Sequence, residues 1–391
     1  MLGLTQSELH LFHATLRNSH DVEVTVDLLD LDYNVLGSVS PKMLDGQVMG
    51  DRHGFGDPHG PQRRLTLTLV DPNNALNVDT DDPDDGTVYY DRLVRVTVSI
   101  YVAALNDWVE VPVFTGPPWK LQRTNDEVYI EADDVSVLGW GNAWRPKTVA
   151  KGKKKTTAIR EILSSRAGFT RFDLPERKAR LAHPVSLGRM QHPWGVAARI
   201  AASMDLQLYV DGAGTVCARR LPTNPLWNFN PGEGGEIIDP LAVSTDRGRF
   251  ANAIEVIGRK PKGAKRRVRA RAVAKRRQEG SPHDLARMDG EVPYFKVERI
   301  KNDHVRTTAE AERKAQRVLE DRMREHSEQT CSILPWPHIT PGDLARFTTL
   351  GGESTVDRID SFTLPLGLDG APAMTLNWKS KPAPHKRKVR R

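Results

Sequence analysis

The stretch RRLTLTLVDP, residues 63–72, sets Leu65, Leu67 and Leu69 against Thr66 and Thr68 before Asp71-Pro72 closes it. Successive strand side chains point to opposite faces, so this alternation predicts a half-buried strand ended by a turn. The same pattern lies on both sides. Upstream, DVEVTVDLLD (21–30) alternates Val22, Val24 and Val26, and YNVLG (33–37) supplies a turn. Downstream come DRLVRVTVSIYV (91–102), WVEVPVFTG (108–116) and DEVYIEADD (126–134). Strands at short intervals, with no helical period between them, predict a barrel or sandwich over residues 20–135.

The middle of the chain changes period. KKTTAIREILSSRAGF (154–169) puts Ile159, Ile162 and Leu163 on one helical face, with Gly168 as its stop. HPWGVAARIAASMD (192–205) reads as a second helix, with Pro193 in its first turn and Trp194, Ala197, Ile200 and Ala201 inward. LQLYVDGAGTVCARRL (206–221) then reads as a hairpin. Beyond residue 250, NAIEVIG (252–258) and EVPYFKVERI (291–300) are strand-like, and a basic run lies between them as an excursion. Thr307 and Glu310 form a capping-box pair opening a helix to about His326, with Ala311, Ala315, Val318, Leu319 and Met323 on one stripe. TCSILPWP, ITPGDLARFTT, STVDRIDSFTLPLG and APAMTLNW close the chain as strands with turns.

The expected organisation is mainly β (α+β). A first β-barrel module spans 1–135 and a small α/β domain spans 136–239. A second β-barrel module spans 240–378 with a basic insertion at 258–292 and a helix at 307–326, and a disordered basic tail covers 379–391. DRLVRVTVSIYV…VPVFTGPPWKLQR…EVYIEAD and GDLARFTTLG…STVDRIDSFTLPLG…AMTLNW share an order of parts. Each has an acidic turn, a strand beginning Leu-x-Arg, a loop and two further strands, which hints at two β-modules of related design.

Charge is unevenly spread. The 391 residues carry a net +7, yet residues 259–277 hold eleven Lys or Arg and no acid, residues 379–391 hold seven, and KGKKK (151–155) holds four. With those 22 set aside, the remainder is about −15. A body of that sign repels polyanions. No apolar run approaches the ~18 residues that span a bilayer, and the N-terminus lacks the pattern of a secretory signal. Two cysteines, Cys217 and Cys331, are too few for a disulfide framework or a zinc cluster and fit a reducing cytoplasm.

Chemistry-bearing motifs are sparse. DTDDPDDG (79–86) departs from the calcium-loop order at Pro83 and reads as an acidic turn. His53, Asp57 and His59 fall in a Gly- and Pro-rich loop with no zinc spacing. There is no G-x-S-x-G, no GK[ST] loop and no H-E-x-x-H, and the glycines of DGAGTVC sit inside a hairpin rather than before a helix. No catalytic residue, metal ligand or cofactor is therefore assigned. The candidate interaction residues are Lys260, Lys262, Lys265, Arg266, Arg267, Arg269, Arg271, Lys275, Arg276 and Arg277. No aromatic side chain interleaves them for base stacking, so a solvated peripheral loop is favoured over a dedicated nucleic-acid site.

RRLTLTLVDPNNAL, DRLVRVTV with VPVFTGPPWKLQR, the hairpin LQLYVDGAGTVCARRLP, NAIEVIG with the capped helix, and CSILPWPHITPGDLARF with its Pro341-Gly342-Asp343 turn together resemble the tail-hub proteins of bacteriophages. These are the baseplate-hub-like minor tail proteins, here of the actinobacteriophage type. The resemblance implies a structural, non-enzymatic protein of the virion tail tip, assembled in the host cytoplasm. It implies a homotrimer of barrel-like modules in one ring, an adaptor between a six-fold tail tube and a three-fold tip that conducts DNA during ejection. Its partners would be the distal tail ring, the tape measure and tip or fibre proteins, with no membrane span. The basic insertion departs from that pattern. Two other readings stay open: a nucleic-acid-binding protein using residues 259–277, and a cell-envelope-degrading tail hydrolase.

Overall fold

A computed structural model describes residues 4–18, 20–39, 43–52, 62–72, 76, 91–141, 146–188, 191–239, 242–245, 253–260, 267–273, 297–301, 305, 307–324, 327–367 and 373–379. The chain divides into two compact units. One comprises Met1–Pro240 with Cys331–Leu376, the other Leu241–Thr330 with Asn377–Arg391.

The first unit opens with helix α1 (Gln6–Leu16), which the sequence reading passed over. Its signal is Thr5-x-x-Glu8. The Thr5 side chain accepts from the Glu8 amide at 3.3 Å, and the Glu8 carboxylate accepts from the Thr5 amide at 2.7 Å. Eight strands follow: β1 (Val22–Leu29), β2 (Val35–Ser38), β3 (Met43–Asp51), β4 (Gln62–Val70), β5 (Leu93–Val102), β6 (Asp107–Gly116), β7 (Pro118–Thr124) and β8 (Glu127–Asp133). They sort into two antiparallel layers. One has the order β2-β1-β5-β6, and β1 pairs β5 along its whole length from Val22↔Ile100 to Leu29↔Leu93. The other runs β3-β4-β8-β7, with Leu67 opposite Ile130. Alternation in β4 buries Leu65, Leu67 and Leu69 as the leucine spacing requires.

The α/β portion follows. A 3-10 turn (Val135–Gly139) leads to β9 (Lys147–Val149), α2 (Lys155–Ala167), β10 (Phe172–Asp173), β11 (Val185–Leu187), α3 (Pro193–Ala202), β12 (Gln207–Val210), β13 (Val216–Arg219) and β14 (Trp227–Phe229). Gly168 ends α2 in the left-handed region at φ 72°. Ile159, Ile162 and Leu163 pack with Trp194, Ala197 and Ile200 and with Leu208 and Val216 of the hairpin in one core.

The second unit contains β15 (Ala242–Thr245) and three further strands, β16 (Ala253–Ile257), β17 (Arg269–Val273) and β18 (Val297–Lys301), followed by α4 (Thr308–Arg324). The chain leaves through β19 (Ser327–Ile333). It continues as β20 (Leu344–Thr348), β21 (Ser354–Pro365), which pairs β3, and β22 (Met374–Lys379). The fold is thus mainly β with four α-helices among the described residues, and none of its sheets closes on itself.

One reading is corrected. The basic run is not a continuous loop, because Arg269–Val273 is a strand, paired antiparallel with β16 from Ala253↔Val273 to Ile257↔Arg269. Its segment RVRARAV alternates Arg with small apolar residues, and Ala270 and Ala272 are buried while Arg269 and Arg271 are exposed. The period-2 signal was present and was masked by the charge.

Candidate interaction surface

The sheet β17-β16-β18 has two unlike faces. On one, Ile254, Val256, Ala270 and Ala272 pack against Ala311, Ala315 and Leu319 of α4. The helix is positioned by the expected capping box, with the Glu310 amide donating to Thr307 Oγ1 and the Thr307 amide to the Glu310 carboxylate, both at 3.2 Å. Alternation sends the neighbouring residues to the opposite face. There the register aligns Arg271, Glu255 and Arg299 in one row and Arg269, Ile257 and Lys301 in the next.

Glu255 is the fixed point of this face. It is 3% exposed, and its carboxylate accepts from Arg271 Nε at 3.0 Å on one oxygen and from Arg299 Nε at 2.9 Å on the other. The hydrogen bond from Arg271, assisted by both cations, holds the Glu255 carboxyl below the usual carboxylate range. The arginines themselves keep 70% and 71% of their side chains in solvent. A central strand carrying one buried acid, flanked by edge strands carrying exposed cations, therefore displays four positive groups around one negative group.

Of the ten sequence-predicted residues, Lys260, Arg267, Arg269 and Arg271 lie in described segments, and all four are exposed. Arg269 and Arg271 share the outer face of β17. Lys262, Lys265, Arg266, Lys275, Arg276 and Arg277 lie outside the described residues, as do His53, Asp57, His59, the Asp79–Asp85 acids and residues 380–391. Sequence reasoning missed Arg299, Lys301 and Glu255. Their signal was the alternation VERIK, which places Arg299 and Lys301 two residues apart on one side of a strand.

Charge also segregates by unit. The first unit has 27 Lys and Arg against 36 Asp and Glu, a balance of −9, and the second has 30 against 14, a balance of +16.

In the first unit, the Pro341-Gly342-Asp343 turn is a structural node. Buried Asp343 accepts from Trp227 Nε1 at 3.0 Å and the Thr340 amide at 3.1 Å, and it pairs with Arg219 at 2.7 Å. Arg358 bridges the Gly342 and Pro222 carbonyls at 3.0 and 2.7 Å. These contacts join the turn to Trp227, Arg219 and Pro222 of the same unit. Beside it, His13 of α1 stacks on His338, surrounded by Phe12, Trp227 and Trp336. Both cysteines are buried and unpaired, and burial pushes each thiol up to about 12. Among the described residues, no three His, Cys, Asp or Glu side chains are grouped to hold a metal, and no helix is long and apolar enough to cross a membrane.

No protein-family model and no curated protein matches the chain. Solved structures do. A tail protein from Neisseria meningitidis MC58 aligns with a TM-score of 0.58 at 12% identity, covering 91% of this chain and 96% of its own. The 43 kDa tail protein of prophage MuSo2 from Shewanella oneidensis aligns with a TM-score of 0.57 at 13% identity, covering 92% and 98%. The chain therefore shares, over nearly its whole length, the fold of these two tail proteins.

Proposed function

We propose that this chain is a structural, non-enzymatic protein of a bacteriophage-type tail, and within the tail a tip hub. The observation that carries this reading is the fold shared with two tail proteins over 91% and 92% of this chain and 96% and 98% of theirs. Fold alone does not dictate function. A structural part is also in keeping with the contacts of buried Asp343, which tie Trp227, Thr340 and Arg219 of the first unit together.

In the finer reading three copies form a ring. Each contributes a β-module from 1–135 and a related one from 240–378, so that six barrel-like modules meet a six-fold tube above and three chains meet a three-fold tip below. Closed rings of this kind are the common outcome of subunit symmetry. The −9 balance of the first unit suits a channel through which DNA slides without adhering. The distal tail ring, the tape measure and tip or fibre proteins are its partners, and the virion tail tip, after assembly in the host cytoplasm, is its place. Obligate interfaces of such assemblies bury more than about 2,000 Å². Light scattering on the purified chain tests this. A particle of three chains, persisting on dilution, is expected, and a monomer that stays single even with tail-tube protein present refutes the hub.

A further inference from the structure

We infer that the outer face of the sheet β17-β16-β18 docks the acidic segment Asp79–Asp85 of a second copy of this chain. The inference rests on the trimeric reading above and names the contact that holds neighbouring copies together.

Neighbouring strands stand about 4.8 Å apart, so Arg269 and Arg271 on β17, and Arg299 and Lys301 on β18, form two cationic rails about 10 Å apart with β16 between them. The segment DTDDPDDG brings five acids into residues 79–85, enough carboxylates to answer all four cations.

Arg271 and Arg299 already grip a carboxylate, that of Glu255, and present the rest of their guanidinium edges to solvent. A guanidinium fork suits carboxylates geometrically. The described face carries no aromatic ring on which a base could stack, which favours an acidic protein segment over single-stranded nucleic acid.

One unit is −9 and the other +16, so every copy brings both halves of a complementary pair. A contact between unlike surfaces of identical chains is heterologous, and it closes into a ring when its rotation permits.

Charge reversal in the full-length chain tests this. Arg269→Glu with Lys301→Glu leaves the Glu255 ion pairs intact, so the unit keeps its fold. Weakening of self-association by at least about tenfold is expected by mass photometry, with a weaker salt dependence than the unaltered chain. Adding Asp79→Lys, Asp81→Lys and Asp84→Lys to that variant restores assembly. An unchanged mass distribution and salt dependence in the double variant overturns the inference and leaves the trimer standing. Restoration of stability without any change in mass, meaning capture within one chain, also overturns it. So does loss of binding to duplex DNA with assembly unaltered. An unaltered chain that never associates refutes the trimer itself.

Discussion

His13 Nε2 lies 3.1 Å from His338 Nε2, with the two rings stacked within 12° and their centroids 5.1 Å apart. At that separation a single N–H lies between the two nitrogens, so one ring donates and the other accepts. The pair pins α1 to the first unit among Phe12, Trp227 and Trp336. Burial pushes His338 down to about 3, with His13 adding to the effect, and burial followed by the charges of Arg17 and His10 lowers His13.

The first expectation concerns acid. Between the unfolded histidine value near 6.5 and the folded value near 3, the unfolded chain binds more protons, so stability falls as pH drops through that window. Each proton taken up contributes a slope of up to about 1.4 kcal/mol per pH unit. Melting curves from pH 7 to pH 4 should show this fall, and His338→Gln should flatten it. An equal slope in the variant contradicts the account.

Arg17 is the second anchor of α1. Its Nε donates to Glu236 Oε1 at 2.7 Å, while Glu236, 1% exposed, also accepts from the Asn230 amide at 2.9 Å. Arg17→Ala strands a buried carboxylate with one partner fewer, at a cost of about 1–3 kcal/mol. Limited chymotrypsin digestion should then cut near Phe12 several times faster than in the unaltered chain.

Close backbone approach sets the third expectation. A methyl at Gly212 would lie 1.9 Å from the Pro112 carbonyl oxygen, whereas one at Gly37 meets nothing within 4 Å. The hairpin turn is seated there by Thr115 Oγ1 donating to the Gly212 carbonyl at 2.8 Å and Tyr33 Oη donating to the Gly214 carbonyl at 3.0 Å. Gly212→Ala should cost more than about 2 kcal/mol in chemical denaturation, since overpacking of this kind displaces backbone. Gly37→Ala should be nearly neutral.

Glu255→Gln should loosen the second unit selectively. Its carboxylate is the shared partner of Arg271 and Arg299, so hydrogen exchange should speed up in β17 and β18 and stay unchanged in β1 and β5. Because the folded pKa of Glu255 is depressed, its contribution is present above the unfolded value and is lost as pH falls through the folded one. Uniform exchange in variant and parent would contradict this role.

Much of the fold was legible in local pattern. The leucines of β4, the capped helix α4 and the hairpin β12-β13 each carry a period or a cap that needs no tertiary information. The helix α1 was passed over because its Thr5-Glu8 cap precedes a segment of weak amphipathicity, with only Phe12 and Leu16 buried. Strand β17 was hidden for a different reason. Arginine is a poor marker of burial, so alternation of Arg with Ala read as charge density rather than as a sheet face. The partnership of Glu255 with Arg299 was illegible, because parallel pairing of β16 with β18 joins residues 44 apart.

The central claim, that three copies build one ring from six related β-modules, is tested most directly by electron cryo-microscopy of the assembled particle. Three chains whose 1–135 and 240–378 modules alternate and superpose about a common axis are expected. A ring containing one module per chain, or two modules that no rotation about that axis brings together, would contradict it.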